Sequence, residues 1–163
     1  MVVNKLYKNL MEHWNKYGYS VYKNQDLSEA GKNDCEELYL NDPLEAEVKN
    51  QLATELIEMF FENNDDDIIN YLNSNPLVRY YFAFEEKLNV YIKEGLISKN
   101  NIFSAAQNYL LDSDDVEGIK FALSLLRYCA NEEAEEILKA FSNHNEFIFY
   151  CIEGLKEYDK CNS

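Results

Sequence analysis

The sequence contains little glycine and proline, with five glycines and two prolines in 163 residues. Hydrophobic residues make up 47% of the chain and aromatic residues 14%. Disordered, collagen-like and low-complexity proteins have few apolar residues and much more glycine or proline. The composition therefore predicts a folded globular chain, and its length predicts a single domain over residues 1–163.

Metal-binding motifs are also lacking. The four cysteines form no C-x-x-C pair, and only two histidines are available to join them as zinc ligands. A calcium loop beginning at Asp112 would need glycine at its sixth position and glutamate at its twelfth, where the chain has Glu117 and Leu123. We therefore predict no metal site and no cofactor.

Recognisable catalytic motifs are absent from the sequence. Neither His13 nor His144 belongs to a Ser/His/Asp or Cys/His signature, and there is no glycine-rich phosphate loop. No residue is therefore singled out as catalytic, and we expect the chain not to be an enzyme.

Long apolar runs are missing too. No window approaches the eighteen or so uninterrupted apolar residues of a membrane-spanning helix, and residues 1–14 interleave charged with apolar side chains. A secretory signal needs an unbroken apolar core. We therefore expect a cytoplasmic protein without a membrane segment.

Basic residues are few, with fifteen against thirty acidic residues and a net charge of −15. The acidic residues are concentrated in two blocks, with a net charge of −12 over residues 26–67 and −7 over residues 112–163. This charge opposes binding to nucleic-acid phosphates and anionic lipid. It predicts a basic protein partner and neither a nucleic acid nor a membrane.

The spacing of apolar residues is helical in most of the chain, which predicts an all-α fold of antiparallel hairpins. One helix is predicted to begin with Asp42 as its cap and Pro43 as its first residue. Another is predicted to begin in the same way, with Asn75 as its cap and Pro76 as its first residue, and to end at Gly95. Four more are predicted over residues 98–111, 113–130, 131–141 and 145–158. The connection at about residues 19–40 is poorly periodic.

A polar Asn/Asp/Ser turn followed by an acid-capped apolar helix recurs near residues 61–65, 111–115 and 141–145. Helical hairpins stacked side by side cover one another's apolar faces, as in an α-solenoid. The pattern favours a short HEAT-like α-solenoid. An irregular helical bundle is the alternative, because the turns are unequally spaced.

The acidic turns and a tyrosine pair supply the candidate binding residues. Acidic residues at a helix start serve as caps, but a third carboxylate exceeds what a cap needs and is available to a partner. Tyr80 and Tyr81 follow Arg79 directly, and two neighbouring rings cannot face the same way, so we expect at least one to be exposed. The candidate partner-binding residues are Asp65, Asp66, Asp67, Tyr80, Tyr81, Asp112, Asp114 and Asp115.

Residues 115–126 and 145–155 resemble HEAT-type helices and, as acidic helical segments, the small immunity proteins of bacterial toxin systems. The resemblance implies a non-enzymatic binder that covers a toxin's active site. Its acidity would suit a basic toxin, because opposite charges accelerate association. The alternatives are a HEAT-like adaptor or scaffold that binds a host protein or peptide, and an acidic mimic of nucleic acid.

Overall fold

The structure, a computed structural model, describes residues 5–17, 44–62, 65–112, 115–144 and 146–161. These residues form helices and connecting turns, with no strand among them. The predicted all-α class is therefore confirmed for the described part of the chain. The poorly periodic connection predicted at about residues 19–40 lies outside the described residues, as do Asp42 and Pro43.

The described residues form eight α-helices in two compact units. The helices are α1 (Lys5–Tyr17), α2 (Ala46–Phe61), α3 (Asp65–Ser74), α4 (Tyr81–Lys93), α5 (Lys99–Asp112), α6 (Val116–Leu126), α7 (Glu132–Phe141) and α8 (Ile148–Cys161). The first unit contains α1 and α5 to α8, and the second contains α2 to α4. The single domain, and the choice between solenoid and bundle, stay predictions.

Helix α6 is the centre of the first unit. Every residue from Gly118 to Leu126 is buried, and α6 packs against α5, α7 and α8. A mostly apolar helix that is buried on all sides needs other helices around it. Full burial of each large apolar side chain contributes about 1.5–3 kcal/mol, so α6 supplies much of the stability of this unit.

Helices α6 and α7 each begin after a polar residue whose side chain caps the helix. The Asp115 carboxylate accepts a hydrogen bond from the Gly118 amide at 3.0 Å, and the Asn131 side chain accepts one from Ala134 at 2.7 Å. Such caps contribute about 1 kcal/mol each. Helix α6 therefore begins at Val116, and not at residue 113 as predicted.

The second unit is built on α2, which packs against α3 and α4. The Tyr71 hydroxyl of α3 donates to the Glu55 carboxylate of α2 at 2.7 Å, which ties these two helices together. The predicted start of α2 at Pro43 is wrong, because Glu45 is extended and its side chain makes no cap hydrogen bond. Val48, near the start of α2, is 41% exposed.

The start of α4 differs from the prediction, whereas its end agrees with it. A separate 3-10 helix, Leu77–Tyr80, follows Pro76, so the α-helix begins only at Tyr81. At the other end Gly95 has φ +74, as predicted for a terminating glycine. The Gly95 amide donates to the Ile92 carbonyl, and the Leu96 amide donates to the Tyr91 carbonyl. This pair of hydrogen bonds is a Schellman motif.

Tyr158 ties α8 to the link between α6 and α7. Its buried hydroxyl donates to the Leu126 carbonyl at 2.6 Å, at the end of α6. Backbone groups of Ala130 and Asn131 also hydrogen-bond this hydroxyl, and burial raises its pKa above the usual value. Ala130 adopts φ 56, in the left-handed region that residues with a Cβ rarely occupy. The tyrosine therefore helps to hold an unfavourable backbone conformation in place.

We predict that Tyr158→Phe lowers the free energy of unfolding by about 1–2 kcal/mol, because it leaves buried backbone groups without their partner. Urea unfolding measures this change. Tyr91→Phe is the matched control, because the contact between Tyr91 and Phe61 is made by the ring, which phenylalanine retains. Equal losses in the two variants would contradict the assignment.

Candidate functional site

Asp65, Asp66 and Asp67 form the first turn of α3, at a helix start as predicted. Asp66 and Asp67 are exposed, and the Asp65 side chain lies outside the described residues. Carboxylates in a first turn interact favourably with the positive end of the helix dipole. They also present negative charge to solvent, so their predicted role in binding is compatible with their positions.

The second acidic turn is divided between two helices. Asp112 is exposed at the C-terminal end of α5, not at a helix start, where the helix dipole opposes its charge. Asp115 is half-buried and engaged as the cap of α6. Asp114 lies outside the described residues. Of the two that are described, only Asp112 presents a fully exposed carboxylate.

Tyr80 and Tyr81 are both buried, with exposures of 1% and 0%. The expectation that one ring is exposed is wrong, because the change from 3-10 to α-helix between them turns both rings inward. The Tyr80 hydroxyl donates to the Asn75 carbonyl at 2.8 Å. In this conformation neither ring can contact a partner. The next residue, Phe82, is 44% exposed instead.

A groove lies between α2 and α4 within the second unit, with a volume of about 450 Å³. Its described lining residues are Asn50, Thr54, Ile57, Ala83, Glu86, Lys87, Val90 and Tyr91. On α2 the lining residues are spaced i, i+4 and i+7, from Asn50 to Ile57. On α4 three of them are spaced i, i+4 and i+8, from Ala83 to Tyr91. Such spacings place residues on one side of a helix, so the groove runs along both helices.

One end of this groove is apolar and exposed. Phe61 follows Ile57 by four residues and so continues the α2 row, and its ring lies edge-on to Tyr91 with centroids 6.0 Å apart. Phe61 is 49% exposed and Val90 is 44% exposed. Aromatic and aliphatic side chains left in water beside a concave surface are typical of a site that binds another molecule.

The surroundings of the groove are acidic. Glu86 lines it and is exposed, and Glu58 is exposed on α2, one turn beyond Thr54. Residues 44–98 contain eleven acidic and four basic residues, a net charge of −7. Lys87 is the basic residue among the described lining residues. The site therefore combines an apolar strip with a negative rim.

A buried lysine in the first unit connects two helices through its charged and aromatic neighbours. Lys120 of α6 is 5% exposed, and its Nζ lies 3.7 Å from the Glu117 carboxylate and 4.0 Å from that of Glu146. The same Nζ lies 5.8 Å from the centre of the Tyr150 ring on α8. A buried lysine needs such negative partners to remain charged.

The two described cysteine thiols, Cys129 and Cys151, are free and buried. Burial raises the pKa of Cys129 to about 12 and raises that of Cys151 as well. Thiols in this state are poor nucleophiles, because the reactive form is the thiolate.

Sequence reasoning missed the groove because its lining residues are of mixed character. Asn50, Thr54 and Ile57 do not form an apolar stripe, and Val90 and Phe61 were not distinguishable from core residues by spacing. The groove depends on how closely α2 and α4 approach each other. The sequence signal that could have indicated the groove is an apolar residue at the edge of a predicted apolar stripe, with an acidic residue close to it on the same helix.

Two further properties hold within the described ranges. No group of three or more histidine, cysteine or acidic side chains there is arranged to hold a metal ion. No helix in this part is both long and apolar enough to cross a membrane. The chain matches no protein-family model, no curated protein and no solved structure.

His144 is a half-buried titratable group in the turn between α7 and α8. Its ring stacks on Phe147 with centroids 4.8 Å apart, and its Nδ1 accepts a hydrogen bond from the Glu146 amide at 3.2 Å. Burial lowers the pKa of His144, although the Glu146 carboxylate acts in the opposite direction. An accepting nitrogen carries no proton, so this hydrogen bond and the burial of the ring both favour the neutral imidazole.

We predict that His144→Asn makes stability less sensitive to mild acid. The pKa of His144 is lower in the folded chain, so the unfolded chain takes up the proton first and stability falls as pH drops below about 6.5. Asparagine does not titrate, and its oxygen can accept the same amide bond. Urea unfolding between about pH 7 and pH 5 should show a larger loss for the wild type. Parallel pH profiles would contradict this role.

Proposed function

We propose that this chain is a non-enzymatic acidic protein-binding domain that neutralises a basic toxin by covering its active site, as an immunity or inhibitor protein does. The observation that carries the proposal is the groove between α2 and α4, where exposed apolar side chains stand inside a negative rim. Protein interfaces commonly combine an apolar centre with a charged surround.

The charge of the chain supports a basic partner. A net charge of −15 attracts a positively charged protein over distances of about a Debye length, roughly 10 Å at 0.1 M salt. Such attraction raises the association rate, while apolar contacts formed after docking slow dissociation. An inhibitor benefits from both effects, because it must bind before the toxin reaches its target.

The inhibition requires no chemistry from this chain. A bound acidic domain excludes substrate from a basic active site by its volume, and its carboxylates attract the basic residues of that site. Phe61 and Phe82 offer aromatic anchors, and the carboxylates of Asp66 and Asp67 offer surrounding charge. Trp, Tyr and Arg dominate typical hot spots, so arginines are the expected partners on the toxin side.

We predict that the product of the reading frame next to this gene is a basic toxin whose effect on cell growth this chain suppresses. Binding should be governed by charge, so raising salt from about 50 to about 500 mM should slow association far more than it speeds dissociation. Growth assays with co-expression and stopped-flow kinetics with the two purified proteins measure these effects.

Charge-reversal variants test whether the attraction comes from a local group of carboxylates or from the net charge of the whole chain. Asp66→Lys with Asp67→Lys should slow association more than Glu132→Lys with Glu136→Lys, a pair of exposed residues on α7 with the same change in net charge. Glu133 is left unchanged because Gln107 donates a hydrogen bond to its carboxylate. Thermal unfolding of each variant separates binding from stability. A neighbouring protein that is neither toxic nor bound would contradict the inhibitor function and favour the adaptor.

A further inference from the structure

We propose that the groove between α2 and α4 binds one amphipathic α-helix of the basic partner. The apolar face of that helix would lie against Phe61 and Val90, and its lysines or arginines beside Glu58 and Glu86. This inference rests on the proposed function and specifies which element of the partner is recognised and where.

The dimensions of the groove suit a helix. The lining row on α4, from Ala83 to Tyr91, spans roughly 12 Å at 1.5 Å per residue, and the α2 row from Asn50 to Phe61 spans roughly 16 Å. These lengths correspond to about two to three helical turns. A third helix lying between two others presents residues at i, i+3, i+4 and i+7, which is how amphipathic helices enter grooves.

The apolar part of the groove supplies the attraction along this length. Val90 and Phe61 are 44% and 49% exposed, so a large part of each side chain remains in water. Phe61 is already positioned by its edge-on contact with Tyr91, and a positioned ring loses little conformational freedom when a partner covers it. An apolar helix face is the complementary surface.

The charges around the groove favour a positively charged occupant. Glu58 is separated from Thr54 by four residues and from Phe61 by three, so it stands next to the lining row of α2. Glu86 lines the groove from α4. A basic helix gains from both carboxylates. A second copy of this chain would instead bring another −15 charge towards them, so self-association is disfavoured.

A synthetic helix tests the inference directly. The probe is a labelled peptide of about 18 residues made of leucine and lysine, with leucines at helical i, i+3, i+4 and i+7 spacing. A second peptide has the same composition in shuffled order, which destroys the apolar face but keeps the charge. Fluorescence anisotropy with the full chain in about 150 mM salt should show at least tenfold tighter binding of the ordered peptide. Equal binding of both peptides would overturn the inference.

Two pairs of matched variants locate the binding site. Val90→Ser should weaken binding of the ordered peptide about fivefold or more, whereas Val48→Ser should change it little. Val48 is similarly exposed, at 41%, but is absent from the groove lining. Glu58→Lys with Glu86→Lys should weaken binding more than the equally charged Glu132→Lys with Glu136→Lys on α7. Circular dichroism confirms that each variant is folded. Equal effects within either pair would overturn the groove assignment.

The toxin-binding experiment distinguishes the two proposals. If the groove variants bind the neighbouring toxin as tightly as the wild type does, the groove inference is wrong while the proposed function stands. If the ordered peptide binds the groove but the toxin is not bound, the proposed function is wrong while the groove inference stands. Sedimentation equilibrium tests the other occupant, since a dimer weakened by Val90→Ser would assign the groove to a second copy.

Discussion

Both units depend on burying apolar helix faces strongly enough to outweigh the mutual repulsion of fifteen excess negative charges. In the first unit this burial is greatest at α6, where nine consecutive residues from Gly118 to Leu126 are buried. In the second unit α2 and α4 bury one face each against neighbouring helices. The acidic residues are then left mainly on solvent faces, where water reduces their repulsion.

This separation of apolar and charged faces also produces the candidate site. The buried faces of α2 and α4 hold the unit together, so the rows beside those faces line a surface groove. Residues at the margin are neither fully buried nor fully exposed, and Val90 and Phe61 occupy such positions. Because Glu58 and Glu86 lie on the same margins, the groove is apolar and acidic at once. A binding site here requires no specialised loop.

Charged groups inside the first unit have a different role from those on the surface. Lys120 is buried beside two carboxylates and an aromatic ring, and this arrangement connects α6 with the segment that leads into α8. Removing one partner from a buried ion pair leaves an uncompensated charge and is strongly destabilising. A surface carboxylate such as Asp66 has no such constraint, so surface acidity can serve binding without loss of fold.

Local spacing and turn chemistry predicted the helical class and the terminating glycine at Gly95, because these depend on apolar periodicity and on a backbone conformation that few residues favour. These local features did not predict the starts of α2 and α4, which begin at Ala46 and Tyr81 and not at Pro43 and Pro76. The inward orientation of both Tyr80 and Tyr81 and the exposure of Val48 depend on tertiary packing. The groove that runs along the contact between α2 and α4 depends on tertiary packing too. These features depend on the approach of helices distant in sequence, and local propensities do not encode that distance.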